Sequence, residues 1–193
     1  DHLQGKRNTQ SLFNIAERES FFWDGRAKTL EEQLVGPISA HNEMNMKPEK
    51  LAAKLAKYTE YRKLFREVYQ SDTITFDKIA KALATFQRTI RSQPSKLDKF
   101  MKGDYKALSD KEIYGMHVFR TKARCMNCHY GKYMTDESFH NIGLTYYKRE
   151  YEDLGRYNIT KDPDDTGKFK TPSLRDLAYT APWMHNGLMD DLY

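Results

Sequence analysis

The most constraining feature of this sequence is a pair of cysteines, Cys125 and Cys128, followed directly by His129. They are the only two cysteines in the chain. A disulfide between them would close a tight redox loop and would not staple distant parts of a fold. The spacing is that of c-type haem attachment, in which each thiol bonds to the haem and the histidine binds its iron. The sequence therefore predicts one covalently attached haem c on this segment.

Two other uses of such a cysteine pair receive less support. A thioredoxin-like redox pair follows a strand, whereas a helix is predicted before this pair, opened by a capping box at Ser109 and Glu112. A structural zinc site takes four ligands, and no second ligand pair here has the required spacing.

Composition limits the class of protein. The 193 residues are 39% hydrophobic and 13% aromatic, too apolar and too aromatic for a disordered chain. No apolar run approaches the roughly 18 residues that cross a bilayer, so no membrane span is predicted. The chain has 32 basic residues (Lys and Arg) and 27 acidic ones (Asp and Glu). The basic residues are spread among the acids, so the excess of positive charge does not indicate nucleic-acid binding. The mean hydropathy of −0.84 indicates a small core, or a core that a bound cofactor completes.

Most of the chain is predicted to be helical. A capping box at Thr29 starts one helix, which Gly36-Pro37 is expected to end. Pro48 suits a first helical position, and Thr75 suits an N-cap. Two apolar stripes with helical spacing predict helices with one buried face: Tyr61, Leu64, Phe65, Val68 and Tyr69, then Phe76, Ile79, Ala80, Leu83 and Ile90.

The remaining segments lack a helical pattern. Residues 94–104 are charged and weakly patterned, which predicts a linker. Beyond His129, recurrent glycine and proline predict loops and short turns that need a large cofactor to complete their core. The chain opens at Asp1 without an initiator methionine or a signal peptide, so it is interpreted as a segment of a longer protein.

Several motifs in one order, together with the cysteine motif, closely resemble the bacterial di-haem cytochrome c peroxidase family, which includes the di-haem oxidase that matures methylamine dehydrogenase. The first group is Phe22-Trp23-Asp24-Gly25-Arg26-Ala27, Leu30-Glu31-Glu32-Gln33, Gly36-Pro37-Ile38 and Glu43-Met44. The second group is Lys168-Phe169-Lys170-Thr171-Pro172-Ser173-Leu174-Arg175 and Thr180-Ala181-Pro182-Trp183-Met184-His185-Asn186-Gly187. The resemblance covers nearly the whole chain.

The resemblance implies a mainly α fold of two cytochrome c-like domains, each carrying a haem in the parent protein. Residues 1–95 are similar to the remainder of the N-terminal, peroxidatic domain, whose own haem motif is missing from this segment. Residues 96–193 are similar to the C-terminal, electron-transfer domain with its haem. The first domain is therefore expected to be incomplete here.

The resemblance also assigns roles to single residues. Glu43 resembles the distal acid–base of the peroxidatic haem, and Gln33 resembles its pocket neighbour. Trp23 resembles the tryptophan that lies between the two haems. His2 is similar to a removable distal imidazole, although its spacing from Asn14 departs from the family pattern. Taken alone, Glu43 would be interpreted as a solvated loop acid, Gln33 as a helix-surface amide and Trp23 as an aromatic core anchor.

A calcium site at the domain boundary is implied as well. The family binds this ion with an asparagine side chain, two backbone carbonyls and water, and Asn8, Thr180 and Pro182 match those positions. Oxygen ligands suit a hard cation. His185 is expected to shape the second haem pocket, and Arg175 is expected to pair with a haem propionate by charge complementarity.

The sixth ligand of the second haem is expected outside this chain. Met184 and Met189 lie at distances after His129 that would suit a simple cytochrome. In peroxidases of the family the ligand is a methionine on the helix that follows this motif, and in the maturation oxidase it is a tyrosine. That position falls several residues past Tyr193.

By the same resemblance, the parent protein reduces hydrogen peroxide to water with electrons from a small donor such as cytochrome c or a cupredoxin. Two alternatives stay open: a di-haem oxidase that modifies a protein partner, and a pure electron-transfer cytochrome. Because thioether attachment is completed outside the cytoplasm, a periplasmic location is predicted. The resemblance also allows a homodimer.

Overall fold

A computed structural model describes residues 3–191 of the chain, so His2 lies outside the described residues. Helices dominate, as the sequence predicts. The helices are α1 (Leu30–Ser39), α2 (Pro48–Leu55), α3 (Thr59–Tyr69), α4 (Phe76–Arg88), α5 (Lys96–Met101), α6 (Asp110–Arg120) and α7 (Tyr157–Thr160). Two short antiparallel strands, β1 (Phe139–His140) and β2 (Phe169–Lys170), pair in the C-terminal half. None of the described helices is long and apolar enough to span a bilayer.

The main core of the N-terminal half lies between α1 and α4. Leu30, Leu34 and Ile38 recur at one-turn spacing and are buried against Ala80 and Ala84 of α4. The small alanines let the two helices approach closely. The predicted capping box is present at the start of α1, and the predicted caps at the starts of α4 and α6 are confirmed too.

The predicted end of α1 at Gly36-Pro37 is wrong, because the helix continues through both residues to Ser39. Proline there removes only one backbone hydrogen bond. The continuation is stabilised by tertiary packing, since Ile38 is buried in the core and the Phe22 ring lies directly against Gly36. A Cβ on residue 36 would approach the Phe22 ring to 2.9 Å, so a larger residue there would require the ring to shift.

The predicted burial of the α3 stripe is only partly correct. Phe65 is buried with Ile74 and Ile79 in a second, smaller cluster. Leu64 and Val68 are 55% and 71% exposed, because the described residues cover only one narrow side of α3. On α4, Leu83 is likewise exposed.

The prediction of a linker over 94–104 is also wrong. This segment contains α5, whose capping box joins Ser95 and Asp98. Asp98 accepts two hydrogen bonds from the Arg175 guanidinium, at 2.6 and 2.7 Å. The sequence predicts that Arg175 pairs with a haem propionate, but here its partner is the Asp98 carboxylate. The two residues are 77 positions apart, so nothing in the sequence indicates this pair. The division of the chain at 95/96 stays a prediction.

Beyond His129 the predicted loops and short turns are confirmed for the described residues. The two halves meet where the β2 strand reaches the segment before α1. The Lys170 N–H donates to the Trp23 carbonyl at 2.8 Å, and Arg18 pairs with Glu137 at 2.5 Å. This junction brings Trp23 beside the cysteine motif.

Candidate haem site

The cysteine motif forms a tight 3₁₀ turn, Cys125–Asn127, shortly after α6. The backbone N–H groups of Cys128 and His129 both donate to the Cys125 carbonyl, at 3.2 and 2.9 Å. Both thiols are free and half-buried, and burial raises the pKa of the Cys128 thiol. A helix precedes the motif as predicted, which disfavours a thioredoxin-like pair. The turn leaves two reduced thiols and an imidazole within one short segment.

The orientation of the His129 ring is set by its own loop. Nδ1 lies 3.0 Å from the Met134 carbonyl oxygen. A carbonyl only accepts hydrogen bonds, so Nδ1 carries a proton and Nε2 is the ring nitrogen left to bind a metal. This is the arrangement that a metal-binding histidine requires.

A cavity of about 450 Å³ lies against this turn. That volume is within the range of about 300–1,000 Å³ that is typical of ligand and cofactor sites. Cys125, Cys128 and His129 line one wall. The other walls are largely apolar and include Trp23, Phe169, Pro172, Leu174, Leu177, Trp183 and Met184. The cofactor-sized gap that the loop-rich C-terminal half was predicted to contain is therefore present, and its donor set fits a covalently attached haem.

Aromatic rings form the inner end of this cavity. Trp23 is 7% exposed, and its Nε1–H donates to the Asn8 carbonyl at 2.8 Å. The Trp23 ring meets the edge of His185, which stacks on Phe169 with ring centroids 3.5 Å apart. Within residues 3–191, His185 Nε2 is buried without a hydrogen-bond partner. Burial lowers the pKa of His185 to about 4, so its imidazole is neutral at physiological pH.

Sequence reasoning missed a buried ion pair on the cavity wall. Lys170 is 4% exposed, and its Nζ lies 2.5 Å from Glu137, which also pairs with Arg18. Burial lowers the pKa of Lys170, against the opposing effect of Glu137. Burial alone would raise the pKa of Glu137, but hydrogen bonds from Lys170 and Arg18 hold it below its usual value. Lys170 belongs to the family motif that runs from Lys168 to Arg175, and this motif was the only signal for the pair in the sequence.

A second missed cluster fixes the segment that carries Asn8. The Arg7 guanidinium donates to Asp153 at 2.5 and 2.8 Å and to Asp24 at 2.5 Å. Burial alone would raise the pKa of Asp153, but hydrogen bonds from Arg7 and from the Gly155 N–H lower it. Arg7 therefore ties the two halves of the chain together immediately beside Asn8.

The three residues predicted to bind calcium lie on the same cavity wall. Asn8 Nδ2 lies 2.5 Å from the Pro182 carbonyl oxygen and 3.3 Å from that of Met184. Thr180 lines the wall with them. Exchanging the nitrogen and oxygen of the Asn8 amide would put its oxygen beside the carbonyl oxygens of Pro182 and Met184, a set that suits a hard cation. The part of Thr180 in such a site stays a prediction.

The two residues predicted for the peroxidatic haem are not part of this cavity. Gln33 lies on α1, and among the described residues its buried Oε1 has no hydrogen-bond partner. Glu43 lies in the turn after α1 and is exposed. The assignment of both residues to the peroxidatic haem stays a prediction.

A second donor cluster was not predicted. It consists of three potential metal-ligand atoms that all lie within 4.8 Å of one another, one each from Cys128, Asp136 and His140. His140 and Asp136 already share a hydrogen bond of 2.7 Å. Three donors fall short of the four of a structural zinc site, and Cys128 belongs to the haem motif.

Comparisons with known proteins identify the family to which this chain belongs. The family model for di-haem cytochrome c peroxidases matches residues 1–106. The methylamine utilization protein MauG of Methylophilus methylotrophus is 40% identical over 97% of this chain and 56% of that protein. The cytochrome c551 peroxidase of Nitrosomonas europaea is 35% identical over 95% of this chain and 55% of that protein.

Solved structures give the same result. A MauG-like protein associated with microbial copper homeostasis superposes with a TM-score of 0.87 at 30% identity, over 97% of this chain and 60% of that one. The diheme peroxidase BthA of Burkholderia thailandensis shares the fold, with a TM-score of 0.79 at 22% identity. The chain spans about half the length of the curated relatives it matches. It belongs to the di-haem cytochrome c peroxidase family.

Proposed function

We propose that this chain is the electron-accepting part of a di-haem peroxidase that reduces hydrogen peroxide to water in the periplasm. The observation that carries the proposal is the His129 imidazole, held through Nδ1 beside two free thiols at an apolar cavity. The overall reaction consumes one peroxide, two electrons and two protons and yields two waters. A small redox protein supplies the electrons.

The residues present fit a haem c. Cys125 and Cys128 would hold it by thioether bonds, and His129 would bind its iron. When bound, the haem supplies an iron that changes oxidation state by one electron at a time. The apolar walls exclude water from its faces, and the neutral His185 adds no charge to them.

Trp23 is proposed to carry electrons between this haem and the peroxidatic one. Its support is positional: the ring is buried at the junction of the two halves and lines the haem cavity. The hydrogen bond from Nε1 to the Asn8 carbonyl fixes the ring plane. A rigid ring at this place shortens the path that an electron must cross.

Glu43 and Gln33 are proposed to act at the peroxidatic haem. Cleavage of the O–O bond needs a proton moved from one oxygen to the departing one, and a carboxylate such as Glu43 performs both halves of that transfer. The unpartnered Gln33 Oε1 supports a polar group facing α1 from outside the described residues.

Calcium bound by Asn8, Thr180 and Pro182 is proposed to stabilise the contact between the two halves of the chain. The support is the convergence of the Asn8 amide with the Pro182 carbonyl, next to the Arg7 cluster. Titration of the chelator-treated holoprotein with calcium should restore a defined Trp23 environment, seen in its fluorescence. In the Asn8→Ala variant the same titration should give no response.

A MauG-like oxidase that modifies a protein partner is the second candidate. One observation favours it: two methylamine utilization proteins are each 40% identical to this chain, whereas the matched peroxidases are 32–35% identical. A tyrosine as the sixth ligand beyond Tyr193 would support the oxidase, and a methionine would support the peroxidase.

Steady-state peroxide consumption by the full-length holoprotein with a reduced small donor tests the peroxidase. Turnover that requires both the donor and the haem on Cys125 and Cys128 supports the proposal. Absence of turnover by a fully haem-loaded protein, in both its resting and its pre-reduced state, would refute it.

A further inference from the structure

The segment that carries the cysteine motif has charged side chains of one sign only. Between Glu112 and Asp136 the chain contains no acidic residue, but it contains Arg120, Lys122, Arg124 and Lys132. All four are exposed, and none forms an ion pair with an acid of the described residues 3–191. We call these four residues the basic rim.

The basic rim is close to the cofactor site. Arg124 directly precedes Cys125 and itself lines the cavity. Arg120 ends α6, and its Cα lies within about 15 Å of that of Arg124 because only four peptide units separate them. Backbone hydrogen bonds, such as that from Ala123 N–H to the Val118 carbonyl at 2.9 Å, hold the intervening turn.

The acids that follow the motif do not neutralise the rim. Asp136 is hydrogen-bonded to His140, and Glu137 is paired with Lys170 and Arg18. Both carboxylates are nearly buried, so neither presents a free negative charge to solvent. The net charge of the whole chain, +5, adds to the same field.

Two exposed apolar side chains lie in the sequence between Arg124 and Lys132 of the basic rim. Met126 is 44% exposed and Tyr130 is 48% exposed, and both belong to the motif segment itself. An apolar centre within a charged border is the usual anatomy of a protein docking surface. Redox encounters use small interfaces of this kind, below about 1,200 Å² in total.

From this arrangement we infer that the electron donor docks on the basic rim with an acidic face, so that the chain selects small redox proteins of net negative charge. This inference rests on the proposed function, because it names the partner of the haem on Cys125 and Cys128. The donor loses one electron, Cu(I) becoming Cu(II) in a cupredoxin, and the protein is reduced by one electron. No bond forms or breaks and no proton moves. Opposite charges across the contact accelerate the encounter.

Binding is measured with a zinc-substituted cupredoxin of net negative charge, which docks but cannot transfer electrons. Titrated into the full-length holoprotein by calorimetry, it should bind more weakly as ionic strength rises. The triple variant Arg120→Glu, Lys122→Glu and Arg124→Glu should weaken binding by about tenfold or more. A matched control, Lys54→Glu, Lys57→Glu and Lys63→Glu, makes the same charge change on exposed lysines of the α2–α3 region and should stay within about twofold of wild type.

Stopped-flow reduction gives a second readout that does not depend on the variants. The wild-type protein should be reduced faster by the copper form of the acidic cupredoxin than by a cytochrome c of net positive charge, and salt should slow only the acidic donor. Salt-independent reduction, equal weakening by both triple variants, or rim-dependent binding to anionic lipid vesicles in place of the cupredoxin would overturn the inference. Normal reduction without peroxide turnover would instead count against the peroxidase alone.

Discussion

His129 donates from Nδ1 to the carbonyl oxygen of Met134, five residues further along the chain, at 3.0 Å. The loop that supplies this carbonyl is held by its own backbone hydrogen bonds, from Met134 to Gly131 and from Thr135 to Tyr130. The direction of the imidazole is therefore set by a short local loop. Such outer contacts orient a metal ligand and raise its basicity.

Covalent haem on this segment is the first prediction. Replacing Cys125 and Cys128 with alanine should reduce the intact mass under denaturing conditions by one haem, because both thioether bonds are lost. The control Met126→Ala changes an exposed side chain of the same turn and should keep the haem. An unmodified wild-type mass, from cells with working attachment machinery, would contradict the prediction.

The second prediction concerns Trp23. Trp23→Phe should keep both haems but slow electron transfer between them, because it removes the indole and its hydrogen bond to the Asn8 carbonyl. Transient absorption after rapid reduction of one haem measures this rate. Trp183→Phe is the matched control, since Trp183 also lines the cavity and donates to a backbone carbonyl, that of Leu177 at 3.0 Å. Equal slowing in both variants would remove the special role of Trp23.

Much of this organisation could be predicted from the sequence because its signals are local. The capping boxes at Thr29 and Ser109 involve residues three apart, and the cysteine motif lies within one turn. Local hydrogen bonding determines such features, so neighbouring residue types reveal them. The family motifs also singled out Trp23 and Asn8, and both residues line the cavity, while their roles stay predictions.

The features that sequence reasoning missed depend on contacts between distant segments. Arg7 and Asp153 are 146 residues apart, and nothing near either residue indicates the other. The continuation of α1 through Pro37 likewise depends on the Phe22 ring packing against Gly36. Tertiary packing overrode the local preference for a helix end.

The third prediction concerns the buried pair of Lys170 and Glu137. Glu137→Gln should lower the free energy of unfolding by about 3 kcal/mol, because it leaves a buried ammonium without its carboxylate. Urea denaturation at pH 7 measures the loss. Asp77→Asn is the control, since its pair with Lys81 is exposed to solvent and should contribute little to the free energy of unfolding.

The same pair predicts a pH dependence. The pKa of Glu137 is lower in the folded state than its unfolded value of about 4.3, so its stabilisation is complete above that value. It is lost as the pH falls through the folded-state pKa. The wild-type protein should therefore lose more stability than Glu137→Gln on acidification below about pH 4. Parallel stability curves for the two proteins would contradict this assignment.

The fourth prediction tests Glu43 in the full-length enzyme. Glu43→Gln keeps the shape of the side chain but removes the base, so both haems should load while peroxide turnover falls by roughly 10²–10⁴-fold. Glu49→Gln, at another exposed glutamate nearby, should leave turnover unchanged. Wild-type turnover in Glu43→Gln would make Glu43 a solvated turn residue.

The last prediction concerns the sixth ligand of the haem on His129. Met184 lines the cavity, and Met189 is exposed while its carbonyl accepts a hydrogen bond from the Trp183 N–H at 2.6 Å. We expect the axial ligand to come from a residue beyond Tyr193. Met184→Leu and Met189→Leu should therefore leave the axial spectrum of the full-length holoprotein unchanged. Methionine to leucine conserves volume and typically costs less than about 1.5 kcal/mol, so both variants should fold. Loss of a thioether-to-iron charge-transfer band in either variant would place the ligand within this chain, and Met184 would then be the residue that the cavity geometry favours.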